Sequence, residues 1–245
     1  MPRSWAGTPT RWPSSWSSCC RWPPGVSALD VGCGPGTVTG LLAAALGADH
    51  VIAVDPSAQF VEAARARCPG VDVRQAVAES LPFPTDAVDV AVAQLVVHFM
   101  TDSMVGLREM ARVVVPGGVV AASVWDHAGG RGPLSPFWRG VQAVSPPDQE
   151  TGEGHLPGAR EGELVRLFRE AGLRDVVGAE ATVTQRYASF EDWWTPYTLG
   201  VGTAGDHLAR LSPAARKELE AVCRRLLPPA PFEIEATAWV ALGAP

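Results

Sequence analysis

A glycine-rich segment that begins with an aspartate is the part of this sequence best suited to chemistry. It reads Asp30-Val31-Gly32-Cys33-Gly34-Pro35-Gly36, and a short apolar run leads into it. Glycine tolerates positive φ and lets a ligand approach the main chain where a Cβ would collide. The carboxylate of Asp30 would face that ligand, attract a cation and repel a phosphate. The segment therefore predicts a site for a positively charged small molecule held against bare backbone.

A second acidic residue follows at the distance that one strand-helix-strand unit requires. The apolar run from His50 ends in Asp55, 19 residues after Gly36. At this distance the carboxylate lies beside the glycine loop, where it can accept hydrogen bonds from ribose hydroxyls. The alternative is that Asp55 only caps the helix predicted from Ser57 to Arg67. We favour the binding role.

Two histidines stand where a proton acceptor would be useful. His98 follows the fourth predicted strand and His127 follows the fifth, at the edge where open α/β sheets bind their ligands. Either could act as a general base if the reaction releases a proton. For His98, a buried ring bonded to the backbone is the alternative. His155, in a glycine-rich loop, is predicted to be solvated only.

Alternating strands and helices must position these residues. From Val26 onward the apolar pattern predicts an α/β, doubly wound, Rossmann-like fold. We expect a mostly parallel seven-stranded sheet with an antiparallel C-terminal strand. The predicted strands are 27–31, 50–55, 71–75, 87–94, 119–125, 176–183 and 232–240. Pro116-Gly117-Gly118 is predicted to end the preceding segment before the fifth strand begins.

Composition and charge exclude several classes of function. The 245 residues are 47% hydrophobic, enough for one well-buried core, so we expect a single domain over residues 26–245. A net charge of -6 with scattered Lys and Arg argues against a nucleic-acid partner. No apolar run approaches the ~20 residues that span a membrane. A small-molecule partner is favoured, and the oligomeric state is not indicated.

The five cysteines form neither a paired framework nor a metal-binding spacing. We therefore predict free thiols in the reducing cytoplasm and no metal site.

Residues 1–25 differ from the remainder of the chain. They contain four of the nine tryptophans, five prolines and no Asp or Glu, and no helical or strand period runs through them. A transit peptide and a poorly ordered tail are two interpretations. A third, which we prefer, is a shifted reading frame, because a one-register shift of G/C-rich codons over residues 6–24 permits an acidic amphipathic helix.

The motifs between residues 26 and 126 resemble one family. The pattern from Asp30 to Gly36 resembles the D-x-G-x-G-x-G signature of class I S-adenosylmethionine-dependent methyltransferases. The later motifs resemble the small-molecule branch related to the ubiquinone and menaquinone biosynthesis enzymes. They are Ala78-Glu79-Ser80-Leu81-Pro82-Phe83-Pro84, Asp89-Val90, the strand end from Gln94 to His98, and residues 107–113 leading to Pro116-Gly117-Gly118.

This resemblance implies S-adenosylmethionine as cofactor and a set of residues that contact it. They are Asp30, Gly32, Cys33, Gly34, Gly36, Asp55, Pro56, Ala78, Glu79 and Gln94. Cys33 is also interpreted as loop packing. In the family an aspartate that binds the adenine amino group often precedes the Ala78-Glu79 pair, whereas Val77 stands here. Adenine recognition is therefore left to backbone groups around Ala78 and Glu79.

The resemblance further implies methyl transfer by in-line displacement to a small, apolar or aromatic acceptor. A protein that binds S-adenosylmethionine without turnover is the alternative. A nicotinamide oxidoreductase is disfavoured, because the third glycine comes one residue early for a dinucleotide fingerprint.

Two stretches are predicted to cap the substrate. Residues 127–160, rich in Gly and Pro, predict a helical and loop insertion over the carboxyl edge of the sheet. Residues 188–211 include the aromatic run from Phe190 to Tyr197, which is either a lid over an apolar acceptor or core packing.

Overall fold

The computed structural model describes residues 25–144, 152–200 and 202–245. Its strands are β1 (Ala28–Val31), β2 (Val51–Asp55), β3 (Asp72–Gln75), β4 (Val88–Gln94), β5 (Val114–Trp125), β6 (Arg174–Tyr187) and β7 (Phe232–Ala244). Its helices are α1 (Thr37–Leu46), α2 (Ala58–Arg67), α3 (Ser103–Val113), α4 (Ser135–Val144), α5 (Glu163–Glu170), α6 (Phe190–Thr198), α7 (Gly202–Arg210) and α8 (Pro213–Leu226). The interpretations of the N-terminal segment concern residues 1–25, of which residues 1–24 lie outside the described ranges.

The strands form one sheet in the order β3-β2-β1-β4-β5-β7-β6. The pairs among β1 to β5 are parallel, and the sheet contains one antiparallel strand, which confirms the predicted fold class. All four residues of β1 are buried, as expected for a central parallel strand covered on both faces. The strand order reverses between β1 and β4, and the crevice at such a reversal is where open α/β sheets bind ligands.

The start of β5 differs from the prediction. Pro116-Gly117-Gly118 does not end a segment but lies inside β5. The pairing of β5 with β4 shifts there, from Val88 opposite Val114 to Val90 opposite Val119. Gly117 has φ +84°, a conformation open to glycine, so the strand accommodates the extra residues as an irregularity in the ladder.

The described chain forms two compact units. The core unit contains residues 25–124, 156–181 and 239–245, and the second unit contains residues 125–144, 152–155, 182–200 and 202–238. Apolar side chains such as Leu29, Leu107 and Phe168 fill the core unit. Among the described helices, none has the length and apolar character needed to cross a membrane.

The second unit has an apolar cluster of its own, built around aromatic side chains. Trp193 is 1% exposed and Tyr197 is fully buried, and their ring centroids lie 5.0 Å apart. The ring of Phe137, from α4, lies 5.1 Å from that of Tyr197. The aromatic run of α6 therefore serves as core packing, the alternative that we set beside a lid.

Candidate cofactor site

The glycine loop after β1 is held against β2 by its backbone. The N–H groups of Gly32 and Cys33 donate to the carbonyl of Val54 at 2.8 and 2.9 Å, and the N–H of Gly36 donates to the Cys33 carbonyl at 3.0 Å. The φ angles of Gly32, Gly34 and Gly36 are +70°, +52° and +82°. Side chains other than glycine rarely adopt these values, so the loop conformation depends on all three.

The three glycines nevertheless meet different surroundings. A Cβ at Gly32 would stand 2.5 Å from a methyl of Val96, and one at Gly36 would stand 3.1 Å from the Cα of Ala64. A Cβ at Gly34 would have no neighbouring heavy atom within 4 Å. The packing of the chain itself therefore requires Gly32 and Gly36, whereas Gly34 leaves its main chain open to a ligand. The predicted ligand contacts of Gly32 and Gly36 stay predictions.

Asp55 ties the glycine loop to the end of β2. It is 5% exposed, and its Oδ2 accepts the N–H of Gly34 at 2.9 Å while its Oδ1 accepts the N–H of Ser57 at 2.8 Å. Ser57, not Asp55, caps α2, since its hydroxyl accepts the N–H of Phe60. Each carboxylate oxygen has about two lone-pair sites, so Asp55 keeps acceptor capacity for the hydroxyls of a ligand.

Asp30 lies beneath the loop and is 1% exposed. Its Oδ2 accepts the hydroxyl of Thr39, in the first turn of α1, at 2.7 Å. Burial raises the pKa of Asp30 to about 6, with a smaller contribution from the charge of Asp55, against the lowering effect of the Thr39 hydrogen bonds. A buried carboxylate that carries a charge favours a nearby cation. The predicted contact between Asp30 and a cationic ligand stays a prediction.

The raised pKa of Asp30 predicts a pH-dependent cost in stability. Because the folded pKa of about 6 exceeds the unfolded value of 3.8, the folded state binds more protons between these values and loses stability as the pH rises through them. The full cost, about 3 kcal/mol, is present above pH 6. We expect Asp30→Asn to gain stability relative to the natural chain by up to this amount between pH 4 and pH 7, measured by urea unfolding.

Asp89 supplies a control of opposite sign in the same unit. Hydrogen bonds from the backbone N–H and hydroxyl of Ser27 lower the pKa of Asp89. Its ionised form therefore contributes stability that is lost as the pH falls through the folded pKa. Asp89→Asn should lose stability relative to the natural chain as the pH rises, and a parallel trend in the two variants would contradict the assignment for Asp30.

The segment after β4 packs against the glycine loop, and one of its residues, Leu95, has a strained backbone conformation. Gln94 is half-buried, and Leu95 after it has φ +60°, with its N–H donating to the Ser123 carbonyl at 2.9 Å. This conformation brings Val96 against Gly32. Strained residues of this kind cluster at functional sites. The sequence analysis missed Leu95 and Val96, since leucine carries no local signal for positive φ.

The remaining predicted contact residues line the same edge or pack beneath it. Ala78 is buried, and the Oε1 of Glu79 accepts the N–H of Asp102 at 3.2 Å. Val77, where the resemblance places an aspartate, is 45% exposed. Pro56 is exposed, and its carbonyl accepts the Nε2 of Gln75 at 2.9 Å.

Cys33 packs under the loop. It is 6% exposed and lies in a small cluster with Ala53, Val61 and Ala64. Burial raises the pKa of its thiol to about 12, with the charges of Asp30 and Asp55 acting in the same direction. The thiol is therefore neutral, which agrees with the predicted packing role.

The two candidate bases belong to different units. In the core unit, His98 lies in a short turn over Val97–Phe99, is 5% exposed, and has its ring centroid 4.0 Å from that of Phe99. In the second unit, the Nδ1 of His127 lies 3.2 Å from the Oε2 of Glu153. Burial lowers the pKa of His127, although the charges of Glu153 and Asp126 oppose this.

Two smaller observations concern His155 and the titratable side chains. His155 is exposed, as predicted. Within the described ranges, no group of three His, Cys, Asp or Glu side chains could hold a metal ion.

Comparison with known proteins indicates the family to which the glycine loop and Asp55 belong. A family model described as "Methyltransferase domain" matches residues 29–122, which contain the glycine loop, Asp55 and the ends of β3 and β4. Residues 29–122 therefore form a class I S-adenosylmethionine-dependent methyltransferase domain. The match does not separate the branches of this class, so the quinone-biosynthesis branch stays a prediction.

Curated relatives resemble the chain over part or most of its length. A trans-aconitate 2-methyltransferase of Methylobacterium radiotolerans is 31% identical over 170 residues, covering 69% of this chain and 60% of the relative. The chain spans between 32% and 60% of the length of the first four curated relatives.

Two solved structures share its fold. A Haemonchus contortus phosphoethanolamine N-methyltransferase, in complex with S-adenosylhomocysteine, has a TM-score of 0.54 at 17% identity and covers 91% of this chain and 50% of its own. The [4+2]-cyclase SpnF has a TM-score of 0.54 at 22% identity and covers 91% of this chain and 75% of its own.

S-adenosylmethionine, the cofactor of this class, fits the residues that the core unit presents. The open space above Gly34 admits a ligand against the main chain. Asp55 beside it has acceptor capacity suited to hydroxyl groups. Asp30 beneath the loop supplies negative charge, which suits a ligand with a sulfonium and an ammonium and no phosphate.

Proposed function

We propose that the protein transfers a methyl group from S-adenosylmethionine to a small acceptor. The observation that carries this proposal is the pairing of Gly34 with Asp55. The main chain of Gly34 is open to a ligand, and the carboxylate that accepts its N–H at 2.9 Å is placed to accept ligand hydroxyls as well. Membership of the methyltransferase class supports the reaction type.

Each site residue then has a defined task. When bound, S-adenosylmethionine supplies a methyl group already attached to a good leaving group. The protein's part is alignment for in-line displacement, which can contribute up to ~7–11 kcal/mol. We assign Gly34 to the amino-acid end of the cofactor, Asp55 to its ribose, and the segment around Ala78, Glu79 and Gln94 to the remainder. Asp30 favours the cationic ligand through its charge.

A general base is needed only when the acceptor must lose a proton. His98 and His127 are the candidates: His98 lies four residues after the end of β4, and His127 lies two residues after the end of β5. The carboxylate of Glu153, 3.2 Å from the Nδ1 of His127, would stabilise a protonated ring, which supports His127 as the base.

The acceptor is proposed to be small and apolar or aromatic. The relative named for trans-aconitate adds small carboxylic acids to the acceptors worth testing. We further propose one methyltransferase domain over residues 26–245, with core 26–126 and cap elements near 127–160 and 188–211. The second unit supports this division, because it contains most of both predicted cap elements. Cys33, Cys68 and Cys223 are free thiols, which supports a reducing, cytoplasmic location.

A protein that binds the cofactor without methyl transfer is the second candidate. One observation favours it: the same fold occurs in a structure described as a [4+2]-cyclase. Fold alone therefore does not establish methyl transfer.

Two measurements test the proposal. Calorimetry should show binding of S-adenosylmethionine and S-adenosylhomocysteine and no binding of NADH. Incubation with methyl-labelled S-adenosylmethionine and a panel of small phenols and carboxylic acids should then label at least one acceptor. Absence of cofactor binding would refute the proposal, and binding without label transfer to the panel or to a cell extract would favour the second candidate.

A further inference from the structure

One face of α3 contacts the loop between β3 and β4, inside the core unit. Just before the helix, the backbone N–H of Asp102 donates to the Oε1 of Glu79 at 3.2 Å. One turn later Gly106 lies against Ala78, since a Cβ on Gly106 would stand 3.4 Å from the Cβ of Ala78. Residues three and four apart share a face of a helix, so position 109 continues this face towards the same loop.

Glu109 and Arg112 make the remaining contacts of this face, and both bind the main chain of the loop. The Nη1 of Arg112 donates to the carbonyl of Phe83 at 2.9 Å, and its Nη2 donates to the carbonyl of Leu81 at 3.2 Å. The Oε2 of Glu109 accepts the N–H of Leu81 at 3.0 Å. Leu81 is 5% exposed, so these side chains satisfy main-chain groups that have little access to water.

The geometry of this pair requires a guanidinium group. The Nε and Nη2 of Arg112 donate to the two oxygens of Glu109 at 2.6 and 2.8 Å, while Nη1 and Nη2 also reach the loop carbonyls. A lysine has one nitrogen and cannot make all of these contacts. The hydrogen bonds from Arg112 lower the pKa of Glu109, although burial opposes this, so the carboxylate is charged at neutral pH.

We propose that Glu109 and Arg112 are positioning residues that hold the segment from Ala78 to Phe83 as a preformed wall for the adenine end of S-adenosylmethionine. The identity of the ligand rests on the proposed function, which assigns Ala78 and Glu79 to the part of the cofactor beyond the ribose. A loop that is already ordered does not have to be ordered by the ligand, so less binding free energy is lost. An ion pair of this spacing contributes little to stability by itself, so its effect is expected at the loop.

Amide hydrogen exchange of the full chain, followed by mass spectrometry, tests the positioning without any ligand. Arg112→Lys keeps the charge but loses contacts to the loop carbonyls, so exchange in peptides over residues 78–83 should become about tenfold faster. Glu109→Gln should change the same peptides in the same direction. Arg166→Lys is the matched control, because Arg166 pairs with Glu163 and Glu170 within α5 of the same unit, and it should leave these peptides unchanged.

Two ligands separate a positioning role from a merely structural one. Arg112→Lys should weaken the binding of S-adenosylhomocysteine about tenfold, whereas S-ribosylhomocysteine, which lacks the adenine, should bind both proteins equally in an NMR titration. In the methyl-transfer assay the variant should raise the KM for S-adenosylmethionine and leave kcat unchanged. A structural role alone would lower the free energy of unfolding and leave the affinity per folded molecule the same.

Unchanged exchange over residues 78–83 in both variants would overturn the inference, and so would an equal loss of affinity for the two ligands. If Arg112→Lys does not fold, Glu109→Gln decides the question by the same measurements. Faster exchange of the loop in a protein that binds no S-adenosylhomocysteine would uphold the positioning of the loop by α3 and refute the proposed function.

Discussion

Replacing Asp55 with alanine is expected to weaken S-adenosylmethionine binding roughly tenfold to a hundredfold. A hydrogen bond to a charged partner contributes about 1.5–3 kcal/mol, and each ~1.4 kcal/mol is a factor of ten in affinity. The carboxylate is 5% exposed and accepts the N–H of Gly34, so its removal deletes the proposed contact to the ligand and loosens the loop. Calorimetry on the purified variant measures the loss.

Asp72→Ala is the matched control for this experiment. Asp72 is also a carboxylate of the core unit, but it lies at the start of β3 and is engaged by exposed Arg74 at 2.6 Å. Its loss should leave affinity unchanged. If Asp55→Ala lowers the free energy of unfolding while the affinity per folded molecule stays the same, Asp55 only fastens the loop and the binding assignment is wrong.

Gly34→Ala is expected to lower cofactor affinity tenfold or more while the chain still folds. A Cβ at this position has no protein neighbour within 4 Å, so it would occupy space left for the ligand. The corresponding loss is ~1.4 kcal/mol or above. Because the φ of this position is +52°, a value that glycine adopts freely and alanine does not, the substitution also lowers the stability of the folded state by roughly 1 kcal/mol.

Gly162→Ala is the control that separates the effect of backbone strain from the effect of a methyl group in the space for the ligand. Gly162, before α5, also has positive φ, +72°, and also has open space around a Cβ. Both variants should lose similar stability in urea unfolding, but only Gly34→Ala should lose affinity. Equal affinity in the two variants would show that Gly34 serves the turn alone, and the cofactor assignment would lose its main support.

Alanine at Gly32 or Gly36 is expected to lower the stability of the fold through a steric clash, which alanine at Gly34 does not create. The three glycines nevertheless look alike in the sequence. Alanine at Gly32 would collide with Val96, and alanine at Gly36 would press on Ala64. These contacts join positions 64 and 28 residues apart, so no local pattern reveals them.

The sequence by itself determined the class of fold and the location of the glycine loop. Strand and helix periods are local properties, and a glycine turn between an apolar strand and an apolar helix face is legible without knowledge of the remainder of the chain. For the same reason Asp55 could be placed beside the loop, since one strand-helix-strand unit has a narrow range of lengths. The bounds of β5 were less predictable, because a Pro-Gly-Gly sequence such as Pro116-Gly117-Gly118 is typical both of the end of a helix or strand and of an irregularity within a strand.

Only the tertiary structure decided how the individual side chains divide their tasks. Ser57 rather than Asp55 caps α2, and the Oε2 of Glu153, a residue far along the chain, lies 3.2 Å from the Nδ1 of His127. The aromatic run of α6 is buried in its own unit. Each of these outcomes depends on which atoms meet after distant segments pack, and that depends on the register and twist of the sheet, for which single residue types carry no signal.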